Sequence, residues 1–323
     1  MDRDDRNVII FEGPDACGKT TQANLLAKRL KNCILIHSPR TQNNATNCFK
    51  LTNETLYNKK FMTDMINTED KEYFMVYYNK LSKALIDNIE INFQDRIDTI
   101  ENMKNIYSNE SKINFDFSNK NDYQLYYEGE HIINPSDERI EKLINKFRTN
   151  PRECYFILDR FMDSSRCYNE YIPAHVINEY KVKCVSNIME MNEKNVSDLE
   201  FTQFEHFGRF KINMIKKLVD LIIETYADGF FKMYKPHNFD NFFFTRTLFF
   251  KKSKLIKHFS DKNRINDKYD KNEFIITYSD QFYQRATSKT NYFNIDTDEL
   301  YFQEIAKNEN HITNYIEGLL NLK

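Results

Sequence analysis

The sequence has little that would suit a secreted or membrane-embedded protein. It contains no apolar run long enough to span a bilayer, and its charged start, MDRDDRN, is not followed by an apolar signal segment. Its six cysteines form no Cys-x-x-Cys pair and stand beside no histidine cluster, which argues against a disulfide framework and a zinc site. We therefore expect a soluble, intracellular, cytoplasmic protein with reduced thiols.

The chain also lacks an excess of either charge. Its formal net charge is -2, although 29% of its residues are charged. Partners such as nucleic acid or an anionic membrane usually require a strongly basic balance, so we expect neither. Hydrophobic residues make up 41% of the 323 residues, enough for a large core in one enlarged domain or two small ones.

A phosphate-binding pattern, GxxxxGK[ST], lies near the start of the chain. Residues 8–11 are a continuous apolar run typical of a buried strand, and from Thr20 the apolar residues recur at the spacing of a helix. Between them, Gly13 and Gly18 let backbone N–H groups turn around an anion at the helix N-terminus. This predicts an ATP site in which Lys19 contacts the β and γ phosphates and Thr20 ligates Mg²⁺. The loop residues expected to surround the phosphates are Ala16, Cys17 and Thr21.

The sequence around this pattern, FEGPDACGKTTQ, closely resembles the phosphate loop of thymidylate kinases. In that family an acidic loop residue holds the sugar hydroxyl of the nucleoside monophosphate, and the matching residue is Asp15. Ala16 stands where some members carry a catalytic arginine. The resemblance therefore implies that a lid later in the chain supplies the catalytic cation.

The family also assigns residues that would contact the nucleoside monophosphate. Residues 32–37 predict a second strand, and the turn after it brings Arg40 near the monophosphate by resemblance. A helix is predicted over 72–89, where the aromatic and the arginine with which the family holds the base correspond to Val76 and Lys80. Both residues depart from the family pattern, so the resemblance is weakest at the base.

A second motif follows a third predicted strand at residues 154–158. The strand ends at Asp159 and Arg160, and ligands bind at the carboxyl ends of strands in open α/β sheets. The segment DRFMDSSRCYN resembles the family's Asp-Arg-aromatic pattern, which implies that Asp159 holds Mg²⁺ through water and Arg160 clamps the phosphoryl groups. The alternative is a buried ion pair between the two. The residues that would face the base are Ser164, Tyr168 and Asn169.

Two segments, 94–152 and 172–237, are insertions outside the resemblance. The first contains an alternating stretch at 113–117 that predicts, with the run DYQLYYEG after it, a β-hairpin, and then a short helix capped by Ser136. The second contains an amphipathic helix near 207–226. Part of that insertion corresponds to the family's dimerisation region, so the resemblance allows a homodimer.

A fourth strand is predicted at 241–250, followed by a run rich in lysine and arginine at 251–270. Such a run is usually a solvated face. Here it ends in DKYD, which resembles the tetrad that closes the family's lid, so we expect a lid whose cations at the transferred phosphoryl are Arg264 and Lys257. The remaining predicted elements are a helix at 272–286, a strand at 292–295 and a closing helix at 309–320.

These patterns predict one α/β domain, a three-layer sandwich around a parallel sheet of about five strands. By resemblance it has the P-loop nucleoside monophosphate kinase fold. The implied reaction is Mg²⁺-dependent transfer of the ATP γ-phosphoryl to a deoxynucleoside monophosphate, with dTMP favoured, for dTTP synthesis. Three alternatives stay open: a deoxynucleoside kinase, for which the turn SPRT offers no carboxylate base; a non-catalytic nucleotide-binding module; and a phosphotransferase acting on polynucleotide ends.

Overall fold

The computed structural model describes residues 6–13, 17–37, 59–108, 123–166, 172–194, 197–237, 242–250, 292–296 and 311–321. The chain divides into two compact units. The first comprises Met1–Pro39, Arg96–Ser164 and His237–Lys323, and the second comprises Arg40–Asp95 and Ser165–Pro236.

A seven-stranded sheet forms the centre of the first unit. Its strands are β1 (Asn7–Glu12), β2 (Asn32–His37), β3 (Tyr123–Tyr127), β4 (Glu130–Ile132), β5 (Cys154–Asp159), β6 (Phe244–Phe250) and β7 (Tyr292–Ile295), in the order β4-β3-β2-β5-β1-β6-β7. Strands β2, β5, β1, β6 and β7 run parallel to one another. The predicted α/β class is confirmed, and the sheet is mostly parallel where a parallel sheet was predicted. The count of about five strands is wrong, because a hairpin of β3 and β4 adds two antiparallel strands at one edge.

The described helices surround this sheet or build the second unit. They are α1 (Lys19–Arg29), α2 (Lys59–Asn67), α3 (Lys71–Tyr107), α4 (Arg139–Thr149), α5 (Met162–Arg166), α6 (Ile172–Asn192), α7 (Asp198–His237) and α8 (His311–Leu319). Across the ranges given above, none of the helices is long and apolar enough to cross a membrane.

One face of the sheet packs against α1 because every second residue of each strand points to it. The central strands bury Phe11, Leu35 and Ile157 on this face, and α1 covers them with the predicted apolar stripe that includes Leu26. Helix α8 extends the same core, and its Thr313 hydroxyl donates a hydrogen bond to Gln22 Oε1 of α1 at 2.8 Å. The helix that follows the glycine-rich loop is therefore fixed on two sides.

The hairpin and its flanking helix differ from the sequence prediction. Strand β3 pairs with β2 on one side and with β4 on the other, through a turn at Glu128 and Gly129, both with positive φ. The expected partner at 113–117 lies outside the described residues. Ser136 does not cap α4, since the helix begins at Arg139, whose N–H donates to Asp137 Oδ1 at 3.0 Å.

The second unit is helical in the part of the chain that is described. Phe74 of α3 is fully buried and lies edge-on to Phe207 and Phe210 of α7, with ring centroids 6.2 and 5.9 Å apart. The buried ammonium of Lys211 donates to the carbonyl oxygens of Ile66 and Thr68, both at 2.5 Å, and so caps the end of α2. The amphipathic helix predicted near 207–226 is confirmed as part of the 40-residue α7.

Candidate functional site

The glycine-rich loop requires glycine at two described positions. Gly13 has φ of 146°, and a Cβ there would lie 2.6 Å from Phe250 O and 2.9 Å from Cys17 Sγ. Gly18 has φ of 84° and immediately precedes α1. Side chains other than hydrogen are strained in both conformations, so the loop packs tightly against β6 only with glycine present. The first backbone N–H groups of an α-helix have no partner within the helix, so the N-terminus of α1 attracts anions.

Lys19, Thr20 and Asp159 come together at the carboxyl ends of β1 and β5, as the two sequence motifs predict. Lys19 is 2% exposed and its Nζ lies 3.9 Å from Cys17 Sγ. Burial raises the pKa of Asp159, but a hydrogen bond from His37, the charge of Lys19 and the nearby Thr20 hydroxyl outweigh it and hold that pKa below its usual value. Asp159 is therefore ionised at neutral pH.

One oxygen of the Asp159 carboxylate is engaged and the other is not. Oδ2 lies 3.1 Å from His37 Nδ1. Oδ1 is buried and accepts no hydrogen bond from the described residues. A buried carboxylate oxygen without a partner is costly unless a ligand satisfies it, and oxygen atoms of this kind are the ligands that Mg²⁺ prefers.

Arg160 has a backbone conformation that L-residues seldom adopt. Its φ is 73°, which costs about 1 to 2 kcal/mol relative to an ordinary conformation. The conformation is held because the Arg160 N–H donates to Phe11 O at 2.9 Å, beyond the last ladder residue Asp159. Local strain at the end of a central strand is typical of functional positions.

The sequence analysis missed Glu12, the last residue of β1. Its carboxylate accepts hydrogen bonds from the N–H of Phe161 at 2.7 Å and from the N–H of Ser164 at 3.2 Å, and also from the Ser164 hydroxyl. Burial raises the pKa of Glu12 to about 7, and the nearby Asp163 carboxylate adds to the rise. Glu12 thus ties the strand before the glycine-rich loop to the turn after β5. Its signals in the sequence were its place at the end of an apolar strand and inside the segment FEGPDACGKTTQ.

Ser164 differs from its expected role. The resemblance directs it to the base, whereas in the structure its side chain is 2% exposed and its hydroxyl is bound to Glu12. The neighbouring Asp163 accepts a hydrogen bond from the Tyr292 hydroxyl at 3.3 Å. The two residues therefore join helix α5 to the sheet, Ser164 to β1 and Asp163 to β7.

His37 was missed as well, although its place at the end of a predicted strand was a usable signal. It pairs in register with Asp159 across β2 and β5. Its Nε2 lies 3.1 Å from Gln124 Nε2, and the Tyr126 hydroxyl donates to Gln124 Oε1 at 2.9 Å. A continuous series of hydrogen bonds therefore runs from the antiparallel edge of the sheet to Asp159.

Val76 and Lys80 belong to the second unit and lie on an exposed face of α3. Val76 is 64% exposed. On the same face the rings of Tyr73 and Tyr77 contact each other at a tilt of 56°, with centroids 4.5 Å apart, and their hydroxyls share a hydrogen bond. Phe74 is fully buried in the core. Tyr77 is therefore the aromatic residue nearest to Val76 in sequence that is still partly accessible.

Several residues that were predicted to belong to the site lie outside the described residues. The predicted lid at 251–270 and the predicted helix at 272–286 lie outside them as well. The site residues concerned are Asp15, Ala16, Arg40, Tyr168, Asn169, Lys257 and Arg264. Their roles stay predictions.

Comparison with known proteins gives the chain no relative, since no family model, curated protein or solved structure matches it. Fold and site together define its class as a mixed α/β protein with a glycine-rich loop between the first strand and the first helix.

Proposed function

We propose that the chain is a P-loop nucleoside monophosphate kinase of the thymidylate kinase type. It transfers the γ-phosphoryl group of ATP to a deoxynucleoside monophosphate, with dTMP as the favoured acceptor. One observation supports this proposal above the others: Lys19, Thr20 and the unpartnered Oδ1 of Asp159 meet beside an N-terminal helix end at the carboxyl edge of the sheet.

The residues of this site fit a nucleotide bound with a divalent cation. The two glycines keep side chains away from the loop, so that backbone N–H groups are available to the phosphates. Thr20 would hold Mg²⁺ directly and Asp159 would hold it through water, with the buried Oδ1 facing that water. When bound, the cation neutralises charge that develops on the phosphoryl oxygens.

The protein side chains supply position and charge in this proposal. Lys19 is buried as the first residue of α1 with its charge close to Asp159, so it meets the phosphates without having to reorganise. Arg160 projects from a fixed backbone position next to Asp159, from which it clamps the phosphoryl groups. By resemblance, Asp15 is the residue of the first unit that is expected to contact the acceptor monophosphate.

A coupled assay of ATP turnover against a panel of acceptors tests the proposal. The panel contains nucleosides, nucleoside monophosphates and oligonucleotide ends, and we expect turnover with dTMP. Turnover with nucleosides alone would instead identify a deoxynucleoside kinase, and turnover with oligonucleotide ends a polynucleotide kinase. ATP binding without turnover would identify a nucleotide-binding module.

A further inference from the structure

We propose that His37 is a positioning residue that orients the Asp159 carboxylate, so that Oδ2 is held by the protein and Oδ1 is presented to the cation. The inference rests on the proposed function, because it assigns the orientation of one of the expected metal ligands. Its basis is the hydrogen-bond series formed by Tyr126, Gln124, His37 and Asp159, hereafter the Asp159 network.

The Asp159 network lies on one face of three neighbouring strands. His37 is in register with Asp159 across the parallel pair β2 and β5, and Gln124 is in register with Leu35 across the antiparallel pair β2 and β3. Since side chains alternate, residues 35 and 37 point to the same face, which brings Gln124 beside His37. The antiparallel hairpin therefore contributes directly to the candidate site of the parallel sheet.

The direction of the hydrogen bonds fixes the tautomer of His37. The Tyr126 hydroxyl donates to Gln124 Oε1, so Gln124 turns its amide N–H groups towards His37 Nε2. An N–H donor requires an unprotonated acceptor, so a neutral His37 carries its proton on Nδ1. That proton is then donated to Asp159 Oδ2.

This arrangement leaves a single oxygen of Asp159 for a ligand. Without His37, the carboxylate could turn about its terminal torsion, which is broad and roughly two-fold, and no oxygen would be held in place towards the cation. The charge of Lys19 lies nearby and would compete for the released oxygen. Removing a residue that hydrogen-bonds to a metal ligand and orients it typically lowers metal affinity or activity by about 10- to 100-fold.

Binding measurements on three variants of the whole chain test the inference. The dissociation constants of ATP with Mn²⁺ and of ATP in EDTA are measured by calorimetry for wild type, His37→Ala, His37→Asn and His131→Ala. His131 is the control, because it lies on the neighbouring strand β4 and makes none of the hydrogen bonds of the network, although its ring stacks on Tyr126 with centroids 4.9 Å apart. Asparagine retains an N–H donor close to the position of Nδ1.

We expect His37→Ala to weaken Mn²⁺-dependent ATP binding by about tenfold or more while binding in EDTA changes less than about twofold. His37→Asn should recover most of the loss, and His131→Ala should resemble wild type. An unchanged Mn²⁺ dependence in folded His37→Ala would overturn the inference alone. A wild-type protein that binds ATP no more tightly with Mn²⁺ would overturn the proposed function and the inference with it.

A second measurement decides the inference without nucleotide and without the alanine variant. The ¹⁵N chemical shifts of the imidazole ring of His37 report which nitrogen carries a proton, and assignment uses the spectrum of His37→Asn. The positioning role is supported if Nδ1 of His37 carries a proton in wild type and if, in Gln124→Leu, that proton is lost from Nδ1 or exchanges between the two ring nitrogens. An unprotonated Nδ1 contradicts it, because such a nitrogen has nothing to donate to Asp159.

Discussion

Glu12 accepts a hydrogen bond from the backbone N–H of Phe161 at 2.7 Å, and this contact joins the strand before the glycine-rich loop to the turn after β5. Both candidate motifs of the sequence therefore belong to one connected piece of structure. The contact also places an acidic group in the core, where burial and Asp163 raise the pKa of Glu12 to about 7.

The raised pKa of Glu12 predicts an unusual dependence of stability on pH. In the unfolded chain Glu12 loses its proton near its ordinary pKa of 4.5, whereas in the folded protein it keeps the proton up to about pH 7. The free energy of unfolding should therefore fall as pH rises between these values, by about 2 kcal/mol from pH 5 to pH 7.5. Urea unfolding of wild type and Glu12→Gln at both pH values measures this, and an equal pH dependence in the two proteins would contradict it.

Arg160 offers a test of whether strain is maintained for function. Its φ of 73° suits glycine, so Arg160→Gly should be more stable than Arg160→Ala by about 1 kcal/mol. Both variants lack the guanidinium, and both should lose at least about tenfold in phosphoryl transfer. Denaturant midpoints and single-turnover rates separate the two effects. Equal stability of the glycine and alanine variants would show that the local backbone relaxes.

Gly13 and Gly129 together test how closely the glycine-rich loop packs against β6, with Gly129 as the control. Both have positive φ, but a Cβ at Gly13 would lie 2.6 Å from Phe250 O, whereas a Cβ at Gly129 would meet nothing within 4 Å. Gly129→Ala should therefore cost about 1 kcal/mol and Gly13→Ala at least about 2 kcal/mol. The free energies of unfolding of both variants are compared with wild type. Similar losses of unfolding free energy in the two variants would mean that β6 moves away from the new Cβ at position 13 without a measurable cost.

The base preference is predicted from the exposed face of α3. Val76 has no π face, and Lys80 lacks the planar fork with which an arginine fixes a base. We expect dUMP to be accepted within about tenfold of dTMP in kcat/KM, since one methyl group seldom gives more discrimination. Rates with dTMP, dUMP, dCMP and dGMP measure this. A preference for dTMP over dUMP on the order of a thousandfold would contradict it.

Local sequence patterns were sufficient for the elements that bear the glycine-rich loop and Asp159. A run of β-branched residues, two glycines and a helical stripe after Thr20 are adjacent in sequence, and each depends mainly on its own residues. The strand ending at Asp159 could be predicted for the same reason.

Features that depend on pairing between distant segments could not be predicted in this way. The contact of His37 with Asp159 depends on the register of β2 and β5, and Gln124 reaches it only because β3 pairs antiparallel with β2. Hydrophobic alternation defines a strand's faces but not its neighbours. Helix α3 was predicted over 72–89, because the resemblance suggested that an insertion begins at Gln94. The helix instead runs to Tyr107, and its buried residues Ile100 and Met103 continue the apolar spacing past that boundary.

Phosphoryl transfer from ATP to dTMP by wild type, Lys19→Ala and Lys28→Ala is the most direct test of the proposed function. Lys19 is the buried first residue of α1, whereas Lys28 is an exposed lysine near the end of the same helix. We predict transfer by wild type and Lys28→Ala, and a loss of at least roughly two orders of magnitude in a folded Lys19→Ala. Absence of transfer by wild type, or near-normal transfer by Lys19→Ala, would contradict the assignment of this chain as a nucleoside monophosphate kinase.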